Sequence, residues 1–496
     1  MRAVVITLHV LAIVCAPRLL AQERWMVNLD DSSSTDVLGF VLPLADTTYL
    51  CVSTTSFVQP GRFNYWHVDG TGSVLDLRPH VDTTYAYKSG AGHCIIPKTD
   101  GTYWLTGNRI PLAGGDRDGV LMCLTNTGDT CWVRAFGGPG FEVLNGACAT
   151  SDGGALLVGN RNGTQNDVYA VRVDANGDSL WTRTYGAVGT TEYGIGVRPT
   201  LDGGFIVFGY KVLAGNNADM YLLKLDSQGN QQWQRNYGSP WSDNAGFVEQ
   251  LPDGRFALAG GQRPSSVAAH RPVFYLLNSA GVELWHVLLD DGPEFSVFFT
   301  VPLLLADAGY CIAGSSSLGG QEVVHLVRLD SAGSLVWRRY YQNNTITDHY
   351  IYDLRRTLDG GFIMAGTAFA TLPVSQDAWL VKVDSFGCLV PGCQVFDGLQ
   401  EQFTDLGEAL HVFPNPAHGQ VQVRVELPPG FAVQGPLQLG LVSTDGRLVQ
   451  QRNLGALPPG QQALHTLPLT GLSAGLYHLH LTDGNRWLSG TKLIVE

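Results

Sequence analysis

The chain has 496 residues, with 60 glycines, 24 prolines, 45% hydrophobic and only 15% charged residues. That composition argues against disorder, collagen and long helical arrays, and leaves a turn-rich all-β globular protein. Lys and Arg number 31 against 44 Asp and Glu, a net charge of −13, which repels phosphate backbones and anionic lipid and argues against nucleic acid as a partner.

At the amino terminus, Arg2 precedes an apolar stretch over 3–16, then Pro17 and Leu19-Leu20-Ala21. This succession of charged, apolar and small residues predicts a signal peptide over 1–21, with the mature chain starting near Gln22. This stretch of 14 residues falls short of the roughly 20 needed to span a bilayer, and no later stretch qualifies, so no transmembrane segment is expected. Cleavage leaves Cys51, Cys94, Cys123, Cys131, Cys148, Cys311, Cys388 and Cys393, an even number that permits disulfides in an exported chain. Cys388 and Cys393 are singled out as a pair because they close a short Gly/Pro loop; the remaining connectivity is open. A zinc site would need a second close pair, or His at ligand spacing, beside these two, and neither is present.

A repeat of about 52 residues organises the region 22–394. Tryptophans stand at Trp132, Trp181, Trp233, Trp285 and Trp337, spaced by 49, 52, 52 and 52 residues. Four residues before them lie Gly128, Gly177, Gly229, Gly281 and Gly333, and the same glycine recurs as Gly72 and Gly387. Between these marks runs a second one. It reads Asp-Gly-Gly at Asp152, Asp202 and Asp359, with weaker forms at Asp46, Asp100, Asp253 and Asp307. Each period holds four short apolar or alternating runs separated by turn residues, as at 132–136, 146–150, 155–159 and 168–173, and no helical pattern intervenes. Asp-Gly-Gly suits a tight hairpin turn, and the Asp-x-x-Gly step joins the fourth run to the next Trp strand.

Four strands per unit and seven units predict a seven-bladed β-propeller, with units tiling from Trp25 to Gly387. The second unit is imperfect, because Asp76 stands where Trp is expected. Packing between blades and turn geometry account for the recurring Trp and Gly. The Asp-Gly-Gly units, typified by 202–209, resemble propeller repeats common in secreted bacterial cargo, a resemblance that implies a fold and no activity.

From Val395 the repeat stops. A polar linker is expected over 395–410, followed by about six or seven strands with turn signals over 411–496, which suggests a small Ig-like β-sandwich. This tail contains Phe413-Pro414-Asn415-Pro416-Ala417, Asp445-Gly446-Arg447-Leu448-Val449, Leu472-Ser473-Ala474-Gly475-Leu476-Tyr477 and Lys492-Leu493-Ile494-Val495. In that order these motifs resemble the C-terminal (Por-type) sorting domain of type IX secretion cargo in Bacteroidetes-type bacteria. The resemblance makes Phe413, Pro414, Asn415, Pro416, Asp445, Gly446, Gly475, Tyr477 and Lys492 the carriers of the sorting signal. It implies Sec export, transit through an outer-membrane translocon with the type IX machinery as partner, and a destination at the cell surface or in the medium.

No His-Glu-x-x-His or phosphate-binding loop is present. His67, His80, His93 and His270 fall at unrelated phases of the repeat. Asp174-Ala175-Asn176-Gly177-Asp178 resembles the start of a calcium loop but lacks its bidentate Glu, and reads as one of the Asp-x-x-Gly turns. Asp290-Asp291 is a carboxylate pair whose separation adjacency does not define. No catalytic residue, metal ligand or cofactor is assigned. The preferred reading is a secreted or surface-displayed binding or structural propeller that holds a glycan or protein ligand at its channel mouth. The competing reading is an extracellular polymer-degrading enzyme with acidic residues converging there.

Overall fold

The computed structural model describes residues 22–30, 36–55, 61–90, 94–163, 165–213, 217–289, 302–318, 321–342, 348–371, 374–389, 393, 406, 409–433, 435–443, 447–455, 457–458, 460–484 and 486–496. The predicted signal peptide, most of the linker, His93, Asp290-Asp291 and Asp445-Gly446 lie outside them.

Up to residue 383 the described strands form seven antiparallel sheets. Six follow one another along the chain, and the second carries a fifth short strand, Ile95–Pro97. The remaining sheet joins strands 348–356, 362–371 and 374–383 to Trp25–Leu29 from the other end of the chain. Trp25 stands opposite Lys382 and Leu29 opposite Ala378. Arg24 anchors this closing strand through an ion pair with the buried Asp384 at 2.9 Å.

Burial follows from the alternation of side chains in strands that are covered on both faces. Phe205–Val212 and Ala218–Leu225, in the middle of their sheet, carry nearly continuous runs of Ile, Val, Phe, Leu and Tyr, and these are buried. Each apolar core is shared by two successive sheets. Leu157, Tyr169 and Val171 of the third sheet join Trp104 and Leu121 of the second. The last sheet meets the first in the same way, with Leu380 and Ile363 against Val41 and Tyr49. This is a β-propeller-like all-β fold. Among the described residues no helix is long and apolar enough to cross a membrane.

The sheets are offset by one strand from the repeat as read in sequence. The tryptophan run does not open a sheet. It forms the outermost strand of the preceding one: Trp181 pairs with Arg172 and Trp233 with Lys224. The Asp-x-x-Gly step is therefore the last hairpin within each sheet. Its glycine adopts positive φ, +82° at Gly177 and +81° at Gly229.

The missing Cβ at this glycine has a second consequence. A methyl group on Gly229 would lie 2.5 Å from Trp181 Cη2, and one on Gly177 would lie 2.5 Å from Trp132 Cη2. Trp233, Trp285 and Trp337 reach Gly281, Gly333 and Gly387 in the same way, and Trp25 of the closing strand reaches Gly72 of the first sheet. Each indole thus lies on the turn of the next sheet. Where Asp76 replaces tryptophan, Gly128 meets Tyr65 and Arg78 instead.

The Asp-Gly-Gly mark is also structural. Its carboxylate holds a buried cation from the third strand, as in Asp152 with Arg172 at 2.6 Å and Asp202 with Lys224 at 2.8 Å. The Thr two residues earlier donates to the same carboxylate, at 2.7 Å for Thr150 and 2.5 Å for Thr200. These bonds outweigh desolvation and draw Asp202 down to about 2.

The tail has its own core. Strands 410–413, 420–426 and 462–468 form one sheet, and 448–455, 437–443, 475–483 and 486–495 form another. Val421, Val423 and Leu467 of the first meet Leu439, Leu479 and Leu493 of the second.

Two glycine substitutions separate backbone strain from the loss of the indole seat. Gly203 has φ +78° and open space around it, so Gly203→Ala is expected to cost about 1–2 kcal/mol, the left-handed penalty alone. Gly229→Ala adds overpacking against Trp181 and is expected to cost a further ~1–3 kcal/mol. Urea denaturation of the two variants checks the difference; equal losses would mean that the indole does not require the glycine.

Candidate functional site

The inner strands carry the feature that builds a site. In four sheets the first strand slips register at one residue, leaving Gly39, Asn145, Ile195 and Tyr352 as bulges. A bulge re-aims its side chain, and these four residues line one cavity of about 630 Å³. In three of the four sheets the bulge is accommodated by a glycine in the neighbouring strand. A Cβ on Gly159 would lie 1.9 Å from Val143 O, and one on Gly209 or Gly366 would lie 1.8 Å from Tyr193 O or Tyr350 O.

Beyond the bulges, the cavity is lined by Phe40, Ser89, Tyr210, Ser242, Asp243, Asn244 and Phe247, so six of the seven sheets, or the segments leading into them, contribute. Tyr210 stacks on Tyr193 with centroids 4.4 Å apart and planes at 16°, and Tyr193 is held by Asn166 Nδ2, which donates to its hydroxyl at 2.8 Å. Asn145 is fixed by donating to Asn160 Oδ1 at 3.0 Å and Gly194 O at 2.8 Å.

Asp243 is the one carboxylate among the described lining residues. Ser239 N, Ser239 Oγ and Arg263 N donate to it at 2.5, 3.0 and 2.6 Å. Burial nevertheless raises its pKa above the ordinary carboxylate value. Asp219 comes close behind it: a Cβ on Gly238 would sit 2.2 Å from Asp243 Oδ2 and 3.3 Å from Asp219 Oδ1. Desolvation, then the charge of Asp243, pushes Asp219 up to about 6.

Among the described residues, His67, His80 and His270 do not converge. His67 contacts Thr48 Oγ1 at 2.8 Å and His80 contacts Thr130 Oγ1 at 2.9 Å. His270 reaches Ser242 O at 2.8 Å, beside Asp243. Asp174 accepts from Asn176 N and Asp178 N at 2.8 and 2.9 Å, which makes it a turn residue. Among the described residues no group of three or more His, Cys, Asp or Glu could hold a metal ion. Cys388 and Cys393 form a disulfide. The sequence reading missed the bulge residues, Tyr210 and the Asp219–Asp243 pair. Its accessible signal was the third glycine of the repeat, at Gly159, Gly209 and Gly366, which faces the bulge.

In the tail the structure joins three of the four motifs. Asn415 Nδ2 donates to Lys492 O at 2.7 Å, and Ile494 N donates to Asn415 Oδ1 at 2.8 Å. The Phe-Pro-Asn-Pro-Ala segment is thereby fastened to the last strand, with Phe413 exposed. Tyr477 stands opposite Leu493 and its hydroxyl donates to Ser473 O at 2.9 Å. Gly475 opens that same strand, opposite Val495.

Residues 411–496 match the family described as the secretion system C-terminal sorting domain. The chain thus carries a type IX sorting tail, which marks an exported protein destined for the cell surface or the extracellular space. No curated protein matches the chain. Among solved structures, a lectin of Burkholderia pseudomallei, BP39L, is similar at 10% identity and TM-score 0.47, covering 74% of this chain and 98% of that one. The WD40 domain of Neurospora crassa Pan2 matches at 10% and 0.45, covering 74% and 98%. Sqt1 of Chaetomium thermophilum matches at 11% and 0.41, covering 73% and 100%. At these scores the propeller-like architecture rests on the chain's own sheets.

The raised pKa of Asp219 sets a pH dependence. An unfolded aspartate titrates near 3.9, so between about pH 4 and 6 the folded state holds more proton than the unfolded one. Stability conferred by Asp219 therefore falls as pH rises through that window. Asp219→Asn is expected to become increasingly stable relative to the unsubstituted protein over this range, with no further gain above it. Thermal melts at several pH values check this; a difference independent of pH would mean that Asp219 ionises as it does in water.

Proposed function

We propose that the seven sheets are the blades of a closed propeller spanning 22–394, and that this propeller is a binding module on an exported protein. A linker over 395–410 precedes a small Ig-like sandwich over 411–496 that directs type IX secretion. Closure is supported by Trp25, whose Nε1 donates to Gly70 O at 2.8 Å across the junction of last and first sheets.

The observation that carries the binding reading is the lining of the central cavity. Aromatic faces and neutral amides and hydroxyls dominate it, and its one described carboxylate already accepts three hydrogen bonds. Rings with a few fixed polar groups suit an uncharged ligand that has both apolar faces and hydroxyls, as a glycan has. Tyr210 and Tyr352 are the stacking groups, and Asn145 and Asn244 are the hydrogen-bonding ones.

The enzyme reading has one observation in its favour. Asp219, near 6, beside Asp243, whose pKa is also raised, resembles the paired carboxylates of acid–base chemistry. Asp243 reaches the cavity, and its partner stands behind it.

Glycan-array and hydrolysis screens on the secreted protein separate the two readings. Retention without turnover is expected, and Tyr210→Ala should weaken it about tenfold, near 1.4 kcal/mol. Turnover of any polymer that Asp219→Asn abolishes would replace binding with catalysis.

Replacing the chain after Asp405 with a neutral sequence should trap the protein in the periplasm. Cell fractionation reads this directly, and undiminished extracellular protein would refute the sorting role.

A further inference from the structure

We propose that Cys123 and Cys131 form a cross-strand disulfide in the exported protein, stapling the last hairpin of the second sheet. The two positions can be compared with their counterparts in the other sheets. The residue opposite the outer tryptophan is Arg172, Lys224, Arg328 or Lys382 in four sheets, the cation held by the Asp-Gly-Gly carboxylate or by its Asp307 counterpart. In the second sheet that place is taken by Cys123, opposite Trp132.

The residue just before the tryptophan is a bulge, filled by Leu180, Gln232, Leu284 or Val336 elsewhere and by Cys131 here. Two departures from the repeat have thus placed cysteine at two positions that face one another. A bulge sets two residues against one across the ladder, so Cys131 and Trp132 both oppose Cys123. Paired antiparallel residues have Cα atoms about 4.5–5.5 Å apart, within the span of a disulfide. Cys123 is buried and Cys131 exposed. Burial, and then the adjacent Cys131 thiol, pushes Cys123 up to about 11.

Type IX export delivers the chain to an oxidising space where disulfides persist. The chemistry is exchange with a small-molecule disulfide such as oxidised glutathione. The thiolate of exposed Cys131 attacks one sulfur and releases one thiol, and Cys123 then displaces the second from the mixed disulfide. Each cysteine gives up one proton, and the two electrons leave on the reduced thiols. The product ties the bulge in place and with it Trp132, whose indole is seated on Gly177.

Trypsin cleavage after Arg117 and Arg134 releases both cysteines in one peptide, 118–134, containing no other cysteine. The full-length secreted protein is treated with oxidised glutathione, alkylated under denaturing conditions without reduction, digested and weighed. The expected peptide is unalkylated and lighter than its dithiol form by two hydrogens, and it takes up two alkyl groups only after dithiothreitol. Alkylation of both cysteines before reduction, a glutathione adduct, or a bond from either cysteine to another peptide would overturn the proposal.

Discussion

The contact on which the propeller region depends is the indole of one sheet lying on the turn glycine of the next. It needs three things at once: a hairpin turn with positive φ, no Cβ on its glycine, and a tryptophan projecting from the neighbouring outer strand. Second contacts reinforce it. Arg183 and Arg235 lie over Trp181 and Trp233, and Tyr185 and Tyr237 donate to the carbonyls of Gly229 and Gly281 at 2.6 Å. The seat has a fixed direction, the outer strand of every sheet but the first placing its indole on the sheet that follows. Repeating it carries the chain round to the first sheet, where Trp25 meets Gly72. The closing strand removes the exposed edge that a sheet of only 348–356, 362–371 and 374–383 would offer to other chains.

The recurring residues of each unit are thus occupied with packing, and the capacity for function lies where the units differ. The bulge is a shared device, while its side chain varies from none at Gly39 to an amide at Asn145 and a phenol at Tyr352. One backbone geometry therefore presents different chemistry from each side of the cavity. The carboxylates show the same contrast. Where a buried Arg or Lys stands by, as at Asp152 and Asp202, the acid is held in its charged form. Asp219 is instead desolvated beside another carboxylate, and burial first, then the charge of Asp243, raises it to about 6.

The tail is built on different principles. Its core is made within 406–495, from its own two sheets and the turns beside them. The sorting motifs combine structural and exposed parts. Asn415 acts as a clasp on the final strand and Tyr477 supports the inner face, whereas Phe413 and Lys492 face outward. A partner that reads this tail meets a surface whose shape depends on the clasp.

Much of the fold was legible because repetition multiplies a weak local signal. One Gly-x-x-x-Trp step says little, but five at nearly constant spacing fix the unit, and turn glycines need only local backbone geometry to be read. The phase of that unit was not legible. A run bounded by turns looks the same whether it opens one sheet or closes another, and hydrogen bonding between strands decides which. The Cys388–Cys393 pair and the sorting motifs were likewise local, whereas Tyr210, the bulged Tyr352 and the meeting of Asp219 with Asp243 depend on residues brought together from separate strands and sheets. The sequence by itself determined the repeat, its turns and the address carried by the tail, because each resides in residues a few positions apart. Only the tertiary structure decided the sheet boundaries, the cavity lining and the pairing of Cys123 with its facing position, because these depend on register and on contacts between strands that the chain order leaves unspecified.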